Sequence, residues 1–253
     1  MAEVIEFIGP PGVGKSSVYS GIVKRWKRKY NWAPRHHFLP VSMKADTGEI
    51  NFWELQVRKL LGKPAFNSYK ISRSAYEFLS ENPKFVSLCW DLIDNNRRED
   101  HLGVDNRFRS AHYLFSVFGY YQAIKHSNDP RNCVSDELLV HRIIQITKDS
   151  LNNDELSLFA DSVPLPRALM HFDAPAWLLA ERINNRKRQV LRHKDLEADR
   201  LTELCLQDKA RFIHIANLLE KRGVAILTID TQNNTMEECV NKVLDFLKNI
   251  PAS

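Results

Sequence analysis

The residues Gly9-Pro10-Pro11-Gly12-Val13-Gly14-Lys15-Ser16 fit the pattern G-x-x-x-x-G-K-S/T at every fixed position. That spacing suits the binding of a phosphate chain. The chain has only nine glycines, and three of them fall within these residues. Glycines let the backbone curl so that consecutive N–H groups point inward as an anion nest. A helix starting near Lys15 adds the positive end of its dipole to that nest. Lys15 can reach β- and γ-phosphate oxygens, and the Ser16 hydroxyl can ligate a Mg²⁺ that bridges them. Gly9 to Ser17, with Val13 and the two prolines inside, is therefore the expected site of a nucleoside triphosphate with Mg²⁺. No guanine-reading N-K-x-D run is present after the last predicted strand, where the sequence reads Asp230-Thr231-Gln232-Asn233-Asn234, so ATP is the default nucleotide.

Two other clusters bear on what is done with the phosphate. Val134 to Arg142 reads VSDELLVHR. It puts Asp136 and Glu137 at the carboxyl end of a predicted strand, where α/β sheets place ligands. One carboxylate could hold the metal, assigned to Asp136 beside Ser16, and the other could take a proton from an attacking hydroxyl or water. The structural alternative is that Asp136 caps a helix. Arg142, five residues after Glu137, is a further candidate substrate contact if it points back to the site, or else it faces outward. The second cluster is AERINNRKRQVLRHK, where Arg182, Arg186 and Arg188, with Arg192 beyond, form a basic helix able to clamp a transferring phosphoryl group. Its alternative is a solvated charged face.

Several elements must position these groups. Val4 to Ile8 is a short apolar run suited to a strand buried on both faces, followed by a helix over 16–30 with Val18, Ile22, Val23, Trp26 and Tyr30 on one stripe. His36 to Val41 is the candidate second strand, weakened by Pro40. Residues 51–128 have helical periodicity and no convincing strand, with helices expected over 52–61, 73–79, 83–95 and 108–126. Arg107 and Arg109, with Arg73 behind them, are the candidate acceptor-phosphate contacts of this stretch, or else surface arginines. Its aromatic residues Trp90, Phe108, Tyr113, Phe115, Phe118, Tyr120 and Tyr121 are read as core. Further strands are expected at 132–135, 168–172 and 224–229. Helices are expected at 138–146, 176–192, 201–222 (stopped by Gly223) and 236–247. Alternating strands and helices imply a doubly wound α/β domain.

Composition agrees with this and excludes other classes. With 253 residues, 43% hydrophobic and 26% charged, the chain suits one sizeable globular domain. No apolar run reaches the ~18 residues that span a bilayer, and the first residues lack the features of a secretory signal, so a cytoplasmic protein is expected. Cys89, Cys133, Cys205 and Cys239 have no paired spacing and read as buried free thiols. The net charge of +5 suits an anionic ligand and singles out no nucleic-acid partner. The basic run Lys24 to Lys29 could dock on anionic lipid or glycan, or simply face solvent.

The order of features resembles the P-loop nucleoside and nucleotide kinases, especially the thymidylate-kinase-like group. FIGPPGVGKSS stands where that family has its opening loop and SDE at 135–137 where it has an acid motif. HFDAPAWLLAERINNRKR stands where it has an arginine-rich lid, and VAILTIDTQNN where a final strand leads to an adenine-packing loop. The resemblance covers about 1–45 and 130–250. It implies a P-loop kinase-like doubly wound parallel sheet of about five strands with a large helical insertion at 45–130 over the acceptor. It further implies a lid at 176–198, Gln232 beside the adenine, and Lys15, Asp136, Glu137, Arg182, Arg186 and Arg188 as the catalytic set. The family's acid is usually followed by arginine, whereas Glu137 follows Asp136 here. No acid stands at the end of the second strand, where Lys44 and Asp46 are the nearest charged groups. The implied activity is transfer of the ATP γ-phosphoryl group to a nucleoside or nucleoside monophosphate. A weaker similarity to P-loop proteins encoded among bacterial surface-polysaccharide genes suggests a sugar or glycan hydroxyl instead. A P-loop ATPase and a nucleotide-regulated interaction module are the readings from other classes.

Overall fold

The computed structural model describes residues 2–39, 68–95, 105–147, 152–186, 191–193 and 196–251. Five strands form one parallel sheet: β1 (Val4–Ile8), β2 (Trp32–Pro34), β3 (Asn132–Ser135), β4 (Ala168–Asp173) and β5 (Ala225–Asp230), in the order β2-β3-β1-β4-β5. The described helices are α1 (Lys15–Arg25), α2 (Ser68–Glu81), α3 (Pro83–Asn95), α4 (Arg107–Lys125), α5 (Ile143–Ile146), α6 (Asn153–Ser162), α7 (Ala176–Asn184), α8 (Ala198–Lys221) and α9 (Met236–Asn249). This is the expected α/β architecture, with its large helical stretch between β2 and β3.

The strands' two-residue alternation divides the core. Ile5 and Phe7 of β1, Val134 of β3 and Met170 and Phe172 of β4 face a layer built by α1, α7 and α9. Val4, Ile8, Cys133 and Leu169 face the opposite layer, where α2, α3, α4, α6 and much of α8 pack. Glu6 falls in the second register, a charged residue among buried apolar ones. Register is tight across the middle of the sheet, with Glu6 opposite Ser135 on one side and Leu169 on the other. All four cysteines are free and buried, as expected. Among the described residues no helix is long and apolar enough to cross a membrane.

The structure corrects several expectations. The second strand is Trp32–Pro34, and His36 and His37 sit instead in the 3-10 turn Arg35–His37. The first helix ends at Arg25 rather than Tyr30 because Trp26 leaves it, its indole Nε1–H donating to the Trp32 carbonyl at 2.8 Å. Arg131 also lies over the Trp26 ring. Lys27 to Lys29 are therefore not on a helical face with Lys24, which removes the geometry of a continuous basic helix. The basic helix expected to 192 stops at Asn184. The stretch 138–146 is a 3-10 turn, Val140–Arg142, running into the short α5. Helix α6 has no counterpart in the sequence reading; the Asn152 side chain caps its first turn. Phe118 and Tyr121 are core, but Trp90, Phe108 and Tyr113 are exposed. Residues 52–61, Lys44, Asp46 and Arg188 lie outside the described residues.

Candidate phosphate-transfer site

The loop between β1 and α1 has the geometry its glycines predict. Gly9 is at φ 144, tight against the end of β4, where a Cβ would meet the Phe172 carbonyl oxygen. Gly14 is the N-cap of α1 at φ 99, a left-handed conformation that glycine adopts at no cost. A Cβ added there would meet no atom within 4 Å, so the space above the loop is open. Ser16 and Ser17 are exposed in the first turn of α1, beside that space. Lys15 is buried, and its Nζ donates to the Gly9 and Pro10 carbonyls at 2.7 and 3.2 Å. Burial pulls its ammonium down to about 8, with Glu137, Asp136 and Asp208 opposing and Arg186 adding to the depression. A phosphate chain would replace those two carbonyls with anionic partners. The residues present fit that group and a Mg²⁺ held through Ser16.

The carboxyl ends of β1 and β3 bring the second cluster to the same place. Glu6 is 1% exposed. Its Oε1 accepts the backbone N–H groups of Leu138 at 2.7 Å and His141 at 2.8 Å, and its Oε2 accepts that of Val140 at 3.1 Å. It therefore fixes the turn that follows Asp136 and Glu137. Burial raises the Glu6 carboxyl to about 7 against the pull of those three N–H groups and Arg142. Glu137 stands beside His141, with Oε1 3.3 Å from Nε2, and beside Arg142, with Oε2 3.6 Å from Nη2. Arg142 thus points back to the site. Burial works against the Glu137 anion, but the Coulombic pull of His141 where acid protonates it, and of Lys15, Arg142 and Arg35 throughout, outweighs it and holds the carboxyl well below the usual range.

Arg35 completes this cluster without any forewarning in the sequence reading. Its Nη1 donates to Ser135 Oγ at 3.2 Å and to the Glu137 carbonyl at 3.3 Å, and lies 3.7 Å from Asp136. The available signal was a cation just beyond a strand's carboxyl end. Placing the strand at 36–41 hid it, since Arg35 then preceded the strand. Tyr19 ties the same corner to α1: its hydroxyl donates to the Val134 carbonyl at 3.3 Å and accepts the Arg35 N–H at 3.2 Å.

The arginines after 181 divide. Arg182 turns to the loop after β5, donating to Thr231 Oγ1 at 2.9 Å and to the Thr231 carbonyl at 3.0 Å. Arg186 lies beyond the end of α7, exposed, close enough to lower the Lys15 pKa. Arg192 forms a two-point pair with Asp208 of α8 at 2.7 and 2.9 Å, and Arg211 pairs with the same carboxylate at 2.7 Å. Neither Asp208 nor Arg211 was singled out from sequence, although a carboxylate and an arginine three apart on a helix is a readable pair. Gln232 is exposed in the loop that Arg182 braces, its N–H donating to Asp230.

Of the arginines expected to bind an acceptor, Arg73 and Arg107 sit in surface pairs. Arg73 pairs with Glu77 at 3.1 Å, exposed. Arg107 pairs with Asp94 at 2.8 Å and Asp105 at 2.6 Å around the start of α4. Arg109 lies half-buried two positions further along that helix. Among the described residues no group of three or more His, Cys, Asp or Glu side chains has the arrangement of a metal site.

No protein-family model and no curated protein matches the chain. Among solved structures, a deoxyadenosine kinase from M. mycoides with bound dATP is similar at 12% identity and a TM-score of 0.46, covering 97% of this chain and 98% of that one. A shikimate kinase from Bacteroides thetaiotaomicron is similar at 11% identity and a TM-score of 0.42, covering 97% and 99%. At such similarity any functional reading has to come from the site itself: a glycine-rich loop with a buried lysine and, just after β3, a carboxylate flanked by His141 and Arg142.

Proposed function

We propose that the protein is an ATP-dependent phosphotransferase that moves the γ-phosphoryl group of Mg-ATP to a small-molecule acceptor, a nucleoside or nucleoside monophosphate first. The observation that carries this reading is the meeting of two segments at the carboxyl ends of β1 and β3: the 9–17 loop with its buried Lys15, and Glu137 flanked by His141 and Arg142. A carboxylate held ionised at the carboxyl end of β3 shares the field of the loop lysine. The 9–17 loop amides and Lys15 would hold the phosphate chain. Ser16 would hold the Mg²⁺, with Asp136 as a further acidic group on its side. The metal supplies charge neutralisation to the phosphoryl oxygens when bound. Glu137 would accept the proton of the acceptor hydroxyl as the phosphorus–oxygen bond forms. Arg186, exposed just beyond α7, would neutralise charge on the transferring phosphoryl group. Arg182 supports the nucleotide end instead, by bracing Thr231 next to Gln232.

The test is ADP formation from Mg-ATP, with and without candidate acceptors, by wild type and Glu137→Gln. Acceptor-dependent ADP and a phosphorylated product, reduced roughly 100-fold or more in Glu137→Gln, are expected. Strong acceptor-free turnover lost in the same variant would instead make the protein an ATPase. Nucleotide binding with no turnover on nucleosides, nucleotides or sugars would refute an enzyme.

A further inference from the structure

His141 is a buried histidine that the proposed reaction leaves without a role. It lies four residues after Glu137, in the 3-10 turn that Glu6 pins through the His141 backbone N–H at 2.8 Å. Its ring lies flat on Phe212 of α8, with centroids 5.2 Å apart and planes at 16°. Backbone and ring are thus fixed from two different elements. Nε2 faces Glu137 Oε1 at 3.3 Å, while Nδ1 is buried with no hydrogen-bond partner among the described residues. A carboxylate only accepts, so the nitrogen facing it has to carry the proton. Burial, more than any neighbouring charge, pushes the imidazole down to about 3 and keeps it neutral.

We propose that His141 is the positioning residue for Glu137: its Nε2–H faces Oε1 at 3.3 Å while the Arg142 guanidinium lies 3.6 Å from Oε2, so the carboxylate is flanked at both oxygens. Neighbours at both oxygens restrict a rotation that a neighbour at one alone would leave free. The inference deepens the proposed function and rests on Glu137 as the proton acceptor there. A neutral donor has a specific merit at this place: it orients the carboxylate without adding another full charge to a cluster that already holds Lys15, Arg35 and Arg142. Misplacing a reacting group by about 1 Å can cost on the order of 100-fold in rate. An orienting contact of this kind therefore belongs to kcat rather than to nucleotide affinity.

Two variants and one spectrum test it. His141→Phe keeps a ring on Phe212 and removes the donor; His141→Gln keeps an amide N–H. The expected result is a kcat lowered roughly 10- to 100-fold in His141→Phe, with unchanged ATP affinity and most of the rate restored in His141→Gln. A wild-type kcat in folded His141→Phe would overturn the proposal. So would a His141→Gln variant as slow as His141→Phe. The ¹⁵N spectrum of the wild-type imidazole at pH 7 is independent of any turnover. It should show the neutral Nε2–H form, and the Nε2 proton should move upfield in Glu137→Gln. An imidazolium, an Nδ1–H form or an unmoved resonance would refute the pairing. Absence of phosphoryl transfer by wild type, with the expected spectrum, would sink the reaction and leave the pairing standing.

Discussion

Replacing Glu6 with glutamine separates a pH-dependent cost of burial from the hydrogen bonds that Glu6 makes. The carboxyl titrates at about 7 instead of an ordinary 4.5, chiefly through burial, and the three backbone donors only partly offset it. A folded pKa above the unfolded one means that the folded state binds the proton more tightly. The associated stability is complete below pH 4.5 and is lost as pH rises towards 7. A displacement of about two and a half pH units, at about 1.4 kcal/mol each, makes that loss roughly 3 kcal/mol. Glutamine at this position retains one oxygen for the Leu138 and His141 N–H groups. It turns an NH₂ on Val140, a constant offset of about 1–3 kcal/mol. The wild-type curve alone does not isolate the effect, because burial also lowers the pKa of His141 and His171, and their contribution rises with pH over an overlapping range. The difference between wild type and Glu6→Gln does isolate it. Unfolding free energies from urea titrations at half-unit steps from pH 4.5 to 8 should give a difference that falls by roughly 3 kcal/mol towards neutral pH and then levels. A difference constant across that range would refute the assignment of a buried, half-ionised carboxylate at position 6.

Two further perturbations follow from the same site. With a free-state pKa of about 8, Lys15 should give an affinity for a non-hydrolysable ATP analogue that is flat below pH 8. Above it, affinity should weaken by up to about tenfold per pH unit; titration calorimetry at pH 7, 8 and 9 checks this, and an unchanged constant would count against a role for the ammonium. Asp208→Asn should lower stability by about 3 kcal/mol, read from the urea midpoint. It removes the carboxylate that holds Arg192 and Arg211 together, and that pairing is almost wholly buried on the α8 side.

How far the sequence could be read varies along the chain for identifiable reasons. β1, the loop and the start of α1 were fully legible, because every requirement there is local: apolar residues, glycines at fixed spacing, a lysine and a serine. β4 was legible as a short apolar run ending in an acid, and β3 as a short run leading into Asp136 and Glu137. The second strand was misplaced by four residues because propensity favoured HHFLPV. The chain instead pairs Trp32 with Asn132, where the indole of Trp26 secures the Trp32 carbonyl. The end of α1 was missed for the same reason. Helix α6, whose asparagine cap was in plain view at Asn152, was passed over between two stronger signals. The arginine cluster read as one functional unit because its members are neighbours in sequence; the fold sends Arg182 to Thr231 and Arg192 to Asp208.

By itself, the sequence determined where the glycine-rich loop lies, and that Lys15 and the Ser16 hydroxyl stand at the start of the helix that follows it. It also determined that a parallel sheet presents that loop. The loop depends on contacts within a dozen residues, and the sheet was legible from the alternation of strands and helices along the chain. Only the tertiary structure decided what surrounds Glu137. Arg35 lies about a hundred residues before it, Glu6 a further thirty, and Phe212 more than seventy after. They meet because strands β1, β2 and β3 end side by side and α8, packed on β4 and β5, brings Phe212 to the His141 ring. Such side chains are held by burial and by groups remote in the chain, and no local pattern encodes a partner that arrives from another strand.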